Sequence, residues 1–203
     1  MPLQNRVTPF GDLIAHPSKA ATLTGNRGII HDPATRTLGA SRWTTKAWIA
    51  CTCAYKGRRR DVWATRSWTE LFFLDEATAL SAGHRPCFTC RRADAIAFRE
   101  AWALAHHLPA PSAKEMDATL HAERLDGRRK RLHPVPATLP DGVMLAAGND
   151  AYLIANGATW LWTFDGYKPA SPSGFDALLT PPSIVAAISG GYPVAIHHSV
   201  PTD

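Results

Sequence analysis

Two periodicities divide this chain. The first forty residues are loop-rich, and "LTGNRGIIHD" reads as two short extended pieces about a Gly25–Gly28 turn, because Gly and Asn tolerate the backbone conformations of tight turns. In "RWTTKAWIACTCAY" the alternation of two puts Trp43, Thr45, Ala47, Ile49, Cys51 and Cys53 on one face, which predicts a strand. "RDVWATRSWTELFFL", rich in aromatic and β-branched residues, predicts a second strand pair or hairpin arm.

The helical period then takes over. Asp75 is placed to cap "EATALSA", with Gly83 as its stop. Ala97, Phe98, Ala101, Trp102 and Ala105 form one apolar stripe of a longer helix. "SAKEMDATLHAERLDG" predicts a third helix with Ser112 as cap, Glu115 three residues on, Gly127 as stop, and Met116 and Leu120 facing the core. After the proline-rich "HPVPATLPDG" the period of two returns in "VMLAAGNDAYLIANGATWLWTF", a meander with turns at Gly148–Asp150 and Asn156–Gly157 in which Trp160 and Trp162 share a face. A proline-initiated helix, "PPSIVAAISGG", and a last strand, "YPVAIHH", complete the prediction.

The sum is an α+β fold: a small mixed sheet with central helices and a C-terminal β-meander. Neither linker, near 108–112 or near 134–140, is long, so residues 1–203 are expected to form one domain, with 112–203 as a helix followed by a strand-rich segment. A hydrophobic fraction of 45% fits a globular chain. No run approaches the roughly 18 apolar residues of a membrane span, and the start lacks a signal peptide's apolar core, so a cytoplasmic protein with no membrane partner is expected.

Charge changes this picture. The net charge is +5, and the basic residues cluster: Arg58, Arg59 and Arg60 in "KGRRR", Arg91 and Arg92, and Arg128, Arg129, Lys130 and Arg131 in "GRRKRLH". Such clustering is the electrostatic footprint expected for a polyanion partner such as a nucleic acid; the competing reading is a set of solvated faces. The cysteines change it further. All four lie between Cys51 and Cys90. Cys87 and Cys90 form a CxxC turn at a helix start, where backbone N–H groups favour thiolates, and Cys51 and Cys53 form a CxC pair. Together they are candidate ligands of one Zn2+, with His84 as a substitute; the competing reading makes Cys51 or Cys53 small buried apolar residues. No thioredoxin-like βαβ pattern surrounds the CxxC, which disfavours a redox pair.

The stretch "CTCAYKGRRRDVWATRSWTELFFLDEATALSAGHRPCFTCRR" resembles the N-terminal zinc domain of the Ada methylphosphotriester repair proteins. The resemblance covers residues 43–95, and "ALSAGHRPCFTCRR" matches in residue type and order. The family's first cysteine pair is spaced CxxxC; here it is CxC, with Tyr55 in the place of the second cysteine. The resemblance implies a zinc site, basic residues holding a DNA backbone, and Cys51 as the thiolate that takes a methyl group from a phosphotriester.

A second candidate site lies on the third helix. Asp117, His121 and Arg124 recur at i, i+4 and i+7, with Glu123 and Asp126 nearby. A histidine or carboxylate there could activate water for hydrolytic removal of a base, while the arginines beyond Gly127 hold phosphates and aromatic residues stack an extruded base. An ordinary charged helix face is the competing reading. The expected function is therefore that of a DNA-binding protein of the repair class, working by base hydrolysis or by alkyl-group removal; the alternative is a non-catalytic zinc-containing nucleic-acid-binding or regulatory module.

Overall fold

Strand register shows how the N-terminal half is assembled. In the computed structural model, which describes residues 1–57 and 61–201, six short strands form a mixed sheet: β1 (Gln4–Val7), β2 (Leu13–Ala15), β3 (Leu23–Asn26), β6 (Ile49–Thr52), β7 (Leu71–Phe73) and β8 (Arg85–Pro86), in the order β2-β1-β7-β3-β6-β8. A two-residue ribbon, β4 (His31–Asp32) with β5 (Thr37–Leu38), stands apart from it. Thr24 pairs with both Cys51 and Phe72, and Asn26 with Ile49, so these side chains share one face. Ala50, Leu71 and Phe73 alternate to the other face, where they pack with Ala79 and Ala82.

Helix α1 (Glu76–Ser81) covers that second face. Asp75 caps it, accepting from the backbone N–H and the hydroxyl of Thr78 at 2.9 and 2.7 Å. Helix α2 (Arg92–His106) buries Ala95, Phe98, Ala101 and Trp102. Helix α3 (Ala113–Arg124) carries the expected capping box, Ser112 and Glu115 bonding reciprocally, and buries Met116 and Leu120. It ends at Arg124 rather than Gly127, because Leu125–Asp126 (β9) turns back through Gly127 to pair with Arg129–Lys130 (β10).

The meander forms as expected, from β11 (Met144–Ala147), β12 (Asp150–Ala155), β13 (Ala158–Thr163) and β14 (Gly166–Pro169). The alternation does not reveal a fifth strand, β15 (Ala177–Leu178), which pairs with β11 and is only two residues long. Trp160 and Trp162 are half-buried against the core, and their ring N–H groups donate to Ala155 and Thr78. Helix α4 (Pro182–Ser189) starts on proline as expected. One apolar cluster joins Leu80, Phe98, Leu120, Leu145 and Ile184, so the core crosses both short linkers. Among the described residues no helix is long and apolar enough to cross a membrane.

Three expected strands differ. The first cysteine strand is only Ile49–Thr52: Thr45 organises a turn instead, accepting from Ala47 N–H through its hydroxyl and from the Trp48 ring through its carbonyl. In the aromatic stretch only Leu71–Phe73 is extended. Trp63 sits at φ 63 and is fully buried, its backbone and ring N–H groups both satisfied by Glu70. The "YPVAIHH" segment is not a strand. Its N–H groups go to carboxylates rather than to a neighbouring strand: Ala195 donates to Glu76 (3.0 Å) and His197 to Asp75 (3.0 Å).

Candidate metal centre

The cysteine centre is built where three elements meet. Cys51 stands in β6, while Cys87 and Cys90 lie in the turn between β8 and α2. Backbone bonds position that turn: β8 runs parallel to β6, Cys87 N–H donates to Ala50 O at 3.0 Å, and Arg91 N–H donates to Cys87 O at 3.0 Å. The result brings the sulfurs of Cys51, Cys87 and Cys90 within 4.8 Å of one another. These three residues could hold a metal ion.

Cys53 does not join them. The strand ends at Thr52, and the Cys53 thiol turns away to donate to Thr22 O at 3.4 Å. The period-two argument for a CxC chelate therefore fails at the residue where the extended conformation stops. His84 is not a substitute ligand: it is fully buried on the other face of the sheet, against Phe73 and Trp48.

Electrostatics shows what the trio needs. Cys87 accepts from the Cys51 thiol and, against the opposing effect of burial, from the backbone N–H groups of Cys90 and Thr89; its ionisation is pulled down to about 4. Cys51, the donor to that sulfur and buried beside it, is pushed far above the ordinary thiol range. Three sulfurs this close resist ionising together, and a bound cation removes the conflict. All four cysteines line a cavity of about 550 Å³ whose other walls include Ile49, Tyr55, Trp68 and Phe72. Glu70, 5% exposed, is the one carboxylate among the described residues lining it. No sequence signal placed Glu70 there; its partner is the tightly turned backbone of Trp63, which no periodicity predicts.

The basic residues are distributed differently from the expectation. Arg91 is buried and paired with Glu76 and Asp94, both at 2.7 Å, and so is not free to meet a phosphate. Arg92 beside it is exposed. Arg58, Arg59 and Arg60 lie outside the described residues. Arg128, Arg129 and Lys130 line a different cavity, and Arg131 lies 3.9 Å from Asp126 at the surface.

The third-helix residues do not converge on one site. Asp117 is buried in a two-point ion pair with Arg85, at 2.8 and 2.9 Å, so its oxygens are taken. Glu123 accepts from both the N–H and the hydroxyl of Ser183, at 3.1 and 2.6 Å, and so anchors the start of α4. His121 lies edge-on to Trp43 and 3.1 Å from an Arg124 nitrogen; burial, then Arg124 and Lys46, lower its basicity. Asp126 is exposed. Helical spacing placed Asp117, His121 and Arg124 correctly along one helix, but it could not show that each was already engaged by a different element. No protein-family model, curated protein or solved structure matches the chain.

Proposed function

We propose that the protein belongs to the DNA-repair class and removes an alkyl group from damaged DNA at a zinc–thiolate centre formed by Cys51, Cys87 and Cys90. The observation that carries this reading is the position of the three gathered sulfurs in the wall of a largely apolar cavity. A purely structural clamp needs the ligands but not the cavity. Zinc suits thiolate donors and, when bound, keeps them deprotonated near neutral pH.

The chain's own residues supply the rest. Cys51 is held rigidly by its pairing to Thr24. Its sulfur would form a bond to the alkyl carbon while the carbon–oxygen bond breaks and the phosphodiester oxygen leaves with the electron pair. Ile49, Trp68 and Phe72 would exclude water from the attack. Arg92, exposed at the helix start two residues after Cys90, and Lys56, exposed and next in sequence to Tyr55 of the cavity wall, supply positive charge for a nucleic-acid backbone. The resemblance to the methylphosphotriester domain points the same way. Hydrolysis by the third helix has less support, because Asp117 and Glu123 are committed to Arg85 and Ser183.

A second reading is a non-catalytic zinc module. It is favoured by the burial of Cys51 and Cys87 at a junction of three elements. One experiment separates the two. Zinc-loaded protein is incubated with DNA carrying methylphosphotriesters, then digested and weighed. Alkyl transfer predicts one methyl group on the Cys51 peptide and no turnover. One equivalent of zinc with no methyl gain on any cysteine would leave only the structural role.

A further inference from the structure

Behind the sheet, on the face opposite the cysteines, three cations gather without a counter-charge of their own. The Arg27 and Arg124 guanidinium groups lie 3.9 and 4.0 Å from the Trp48 ring centroid. Both residues are essentially buried, at 2% and 1% exposure. Lys130 reaches the same place from β10 and donates to Ser81 O. Among the described residues none of the three makes an ion pair. The carboxylate nearest Arg124 in charge terms, Asp117, already holds Arg85.

Arg124 is partly satisfied, donating to Gly83 O at 2.9 Å and Lys46 O at 2.7 Å. Its stem passes over Gly83, where a Cβ would come within 2.6 Å of it. Arg27 is not satisfied. Its one hydrogen-bond acceptor is the His84 ring, at 3.3 Å, and its Nη2, like Arg124 Nε, has no partner among the described residues. Burying unpaired charge costs several kcal/mol per ion, and a core without a ligand has no need of it.

The three residues line a cavity of about 480 Å³, joined at its rim by Arg42, Arg128 and Arg129. Among the described residues Asp12 is the single carboxylate of its walls; it attracts Arg27 without forming an ion pair. Gly11 lines the cavity too, at φ 85, a backbone conformation that glycine adopts freely, and a Cβ there would stand in contact with the buried Arg27 Nη2, at 3.6 Å.

We propose that this cavity is a binding site for a phosphomonoester group, with Arg27 and Arg124 presenting guanidinium N–H donors and Lys130 a point charge. A dianionic phosphate matches the donor set: guanidinium groups suit two-point contact with its oxygens, and two negative charges offset those of the two buried guanidinium groups, with the half-buried Lys130 beside them. The half-buried Trp43 in the wall offers an aromatic surface to a flat or sugar-like group attached to the phosphate. Burial lowers the basicity of all three, to about 9 for Arg27 and Arg124 and about 7 for Lys130; Arg124 adds to the effect on Arg27, against Asp12, Arg85 adds to it on Arg124, against Asp117, and Arg27 and Arg124 add to it on Lys130. The site is independent of the cysteine chemistry, which lies on the other face of the sheet.

The test is calorimetric titration and thermal melting of the full chain at constant ionic strength set with chloride. Inorganic phosphate and adenosine monophosphate are expected to bind and to raise the melting temperature. Arg27→Met should weaken binding at least tenfold while leaving the zinc content unchanged; its phosphate-free stability should stay near that of the parent, since it removes a buried unpaired charge. Lys130→Met, at a half-buried position, provides the second variant if the first does not fold. A pair of oligonucleotides, with and without a 5′-phosphate, identifies the source. Tighter binding of the phosphorylated one, lost in the variants, assigns the pocket to nucleic-acid ends; binding of the mononucleotide alone assigns it to small molecules. No phosphate effect beyond that of chloride, or an effect retained in both variants, overturns the proposal.

Discussion

The two faces of the six-stranded sheet carry opposite unresolved charges. On one, three sulfurs share too little space to ionise together without a cation. On the other, two buried guanidinium groups and an ammonium lie together with no ion pair among the described residues and with Asp12 alone as a carboxylate in the cavity wall. Elsewhere the molecule resolves its buried charges internally, as Arg85 does with Asp117 and Arg91 with Glu76. The contrast separates charge used to hold the fold from charge left for a ligand. A paired ion contributes to stability through its partner, whereas an unpaired one costs free energy until something binds.

The largest expected effect is on the sulfur face. Cys87→Ser should lower bound zinc from one equivalent to below half. It should also cost on the order of 5 kcal/mol, a fraction of the roughly 10 kcal/mol that structural zinc supplies to small isolated domains, because the meander keeps its own core. Elemental analysis with urea unfolding measures both. Full metal retention would leave these cysteines as packing residues.

The next effect tests the distinction between paired and unpaired ions. Asp117→Ala strands Arg85 in the interior and should cost about 3–5 kcal/mol. Arg27→Met should cost less than about 1 kcal/mol in phosphate-free buffer, because no ion pair is broken. Similar losses in the two, read from denaturant melts, would erase the contrast.

A smaller effect appears in the pH profile. Lys130 is lowered to about 7 by burial and by Arg27 and Arg124, while its unfolded value is near 10.4. Between these values the unfolded chain holds a proton that the folded one has released, so stability should rise with pH across that window, by at most about 1.4 kcal/mol per pH unit. Lys130→Met should flatten the rise, and saturating phosphate should shift it upward in pH. The smallest effect is a control: Ser112→Ala removes a cap remote from both faces and should cost about 1 kcal/mol without changing zinc or phosphate binding.

Local signals made much of the fold legible. The Ser112–Glu115 box, the Asp75 cap, the Met116 and Leu120 core positions and the two hairpin turns of the meander each depend on residues within a few positions of one another. What the sequence concealed depends on distant partners. The cysteine pairs were legible as common ligands, but not that Cys51 alone of its pair would meet the CxxC, which follows from β8 lying parallel to β6 and from the strand ending before Cys53. The cation cavity draws Arg27, Arg124 and Lys130 from segments about a hundred residues apart, so the "GRRKRLH" run read as a surface cluster for nucleic-acid phosphates when one of its members turns toward a cavity beside Arg27 and Arg124. The "YPVAIHH" segment has a strand's composition, yet carboxylates from α1 take its hydrogen bonds.

Those two carboxylates govern how the chain reaches its final state. Asp75 and Glu76, both almost wholly buried, receive Tyr167 and Tyr192 hydroxyls and the Ala195 and His197 amides from more than ninety positions downstream. A chain still emerging from the ribosome can form β7 and the first turn of α1 early, but their acidic ends stay hydrated until residue 197 arrives. Closing so long a loop is slow, and the reward comes only at the end. The half-made protein is therefore expected to remain open and protease-sensitive until residue 197 has emerged. A nick between α4 and His197 would release the same pair of acids to water, unfastening the molecule at the contacts that form latest.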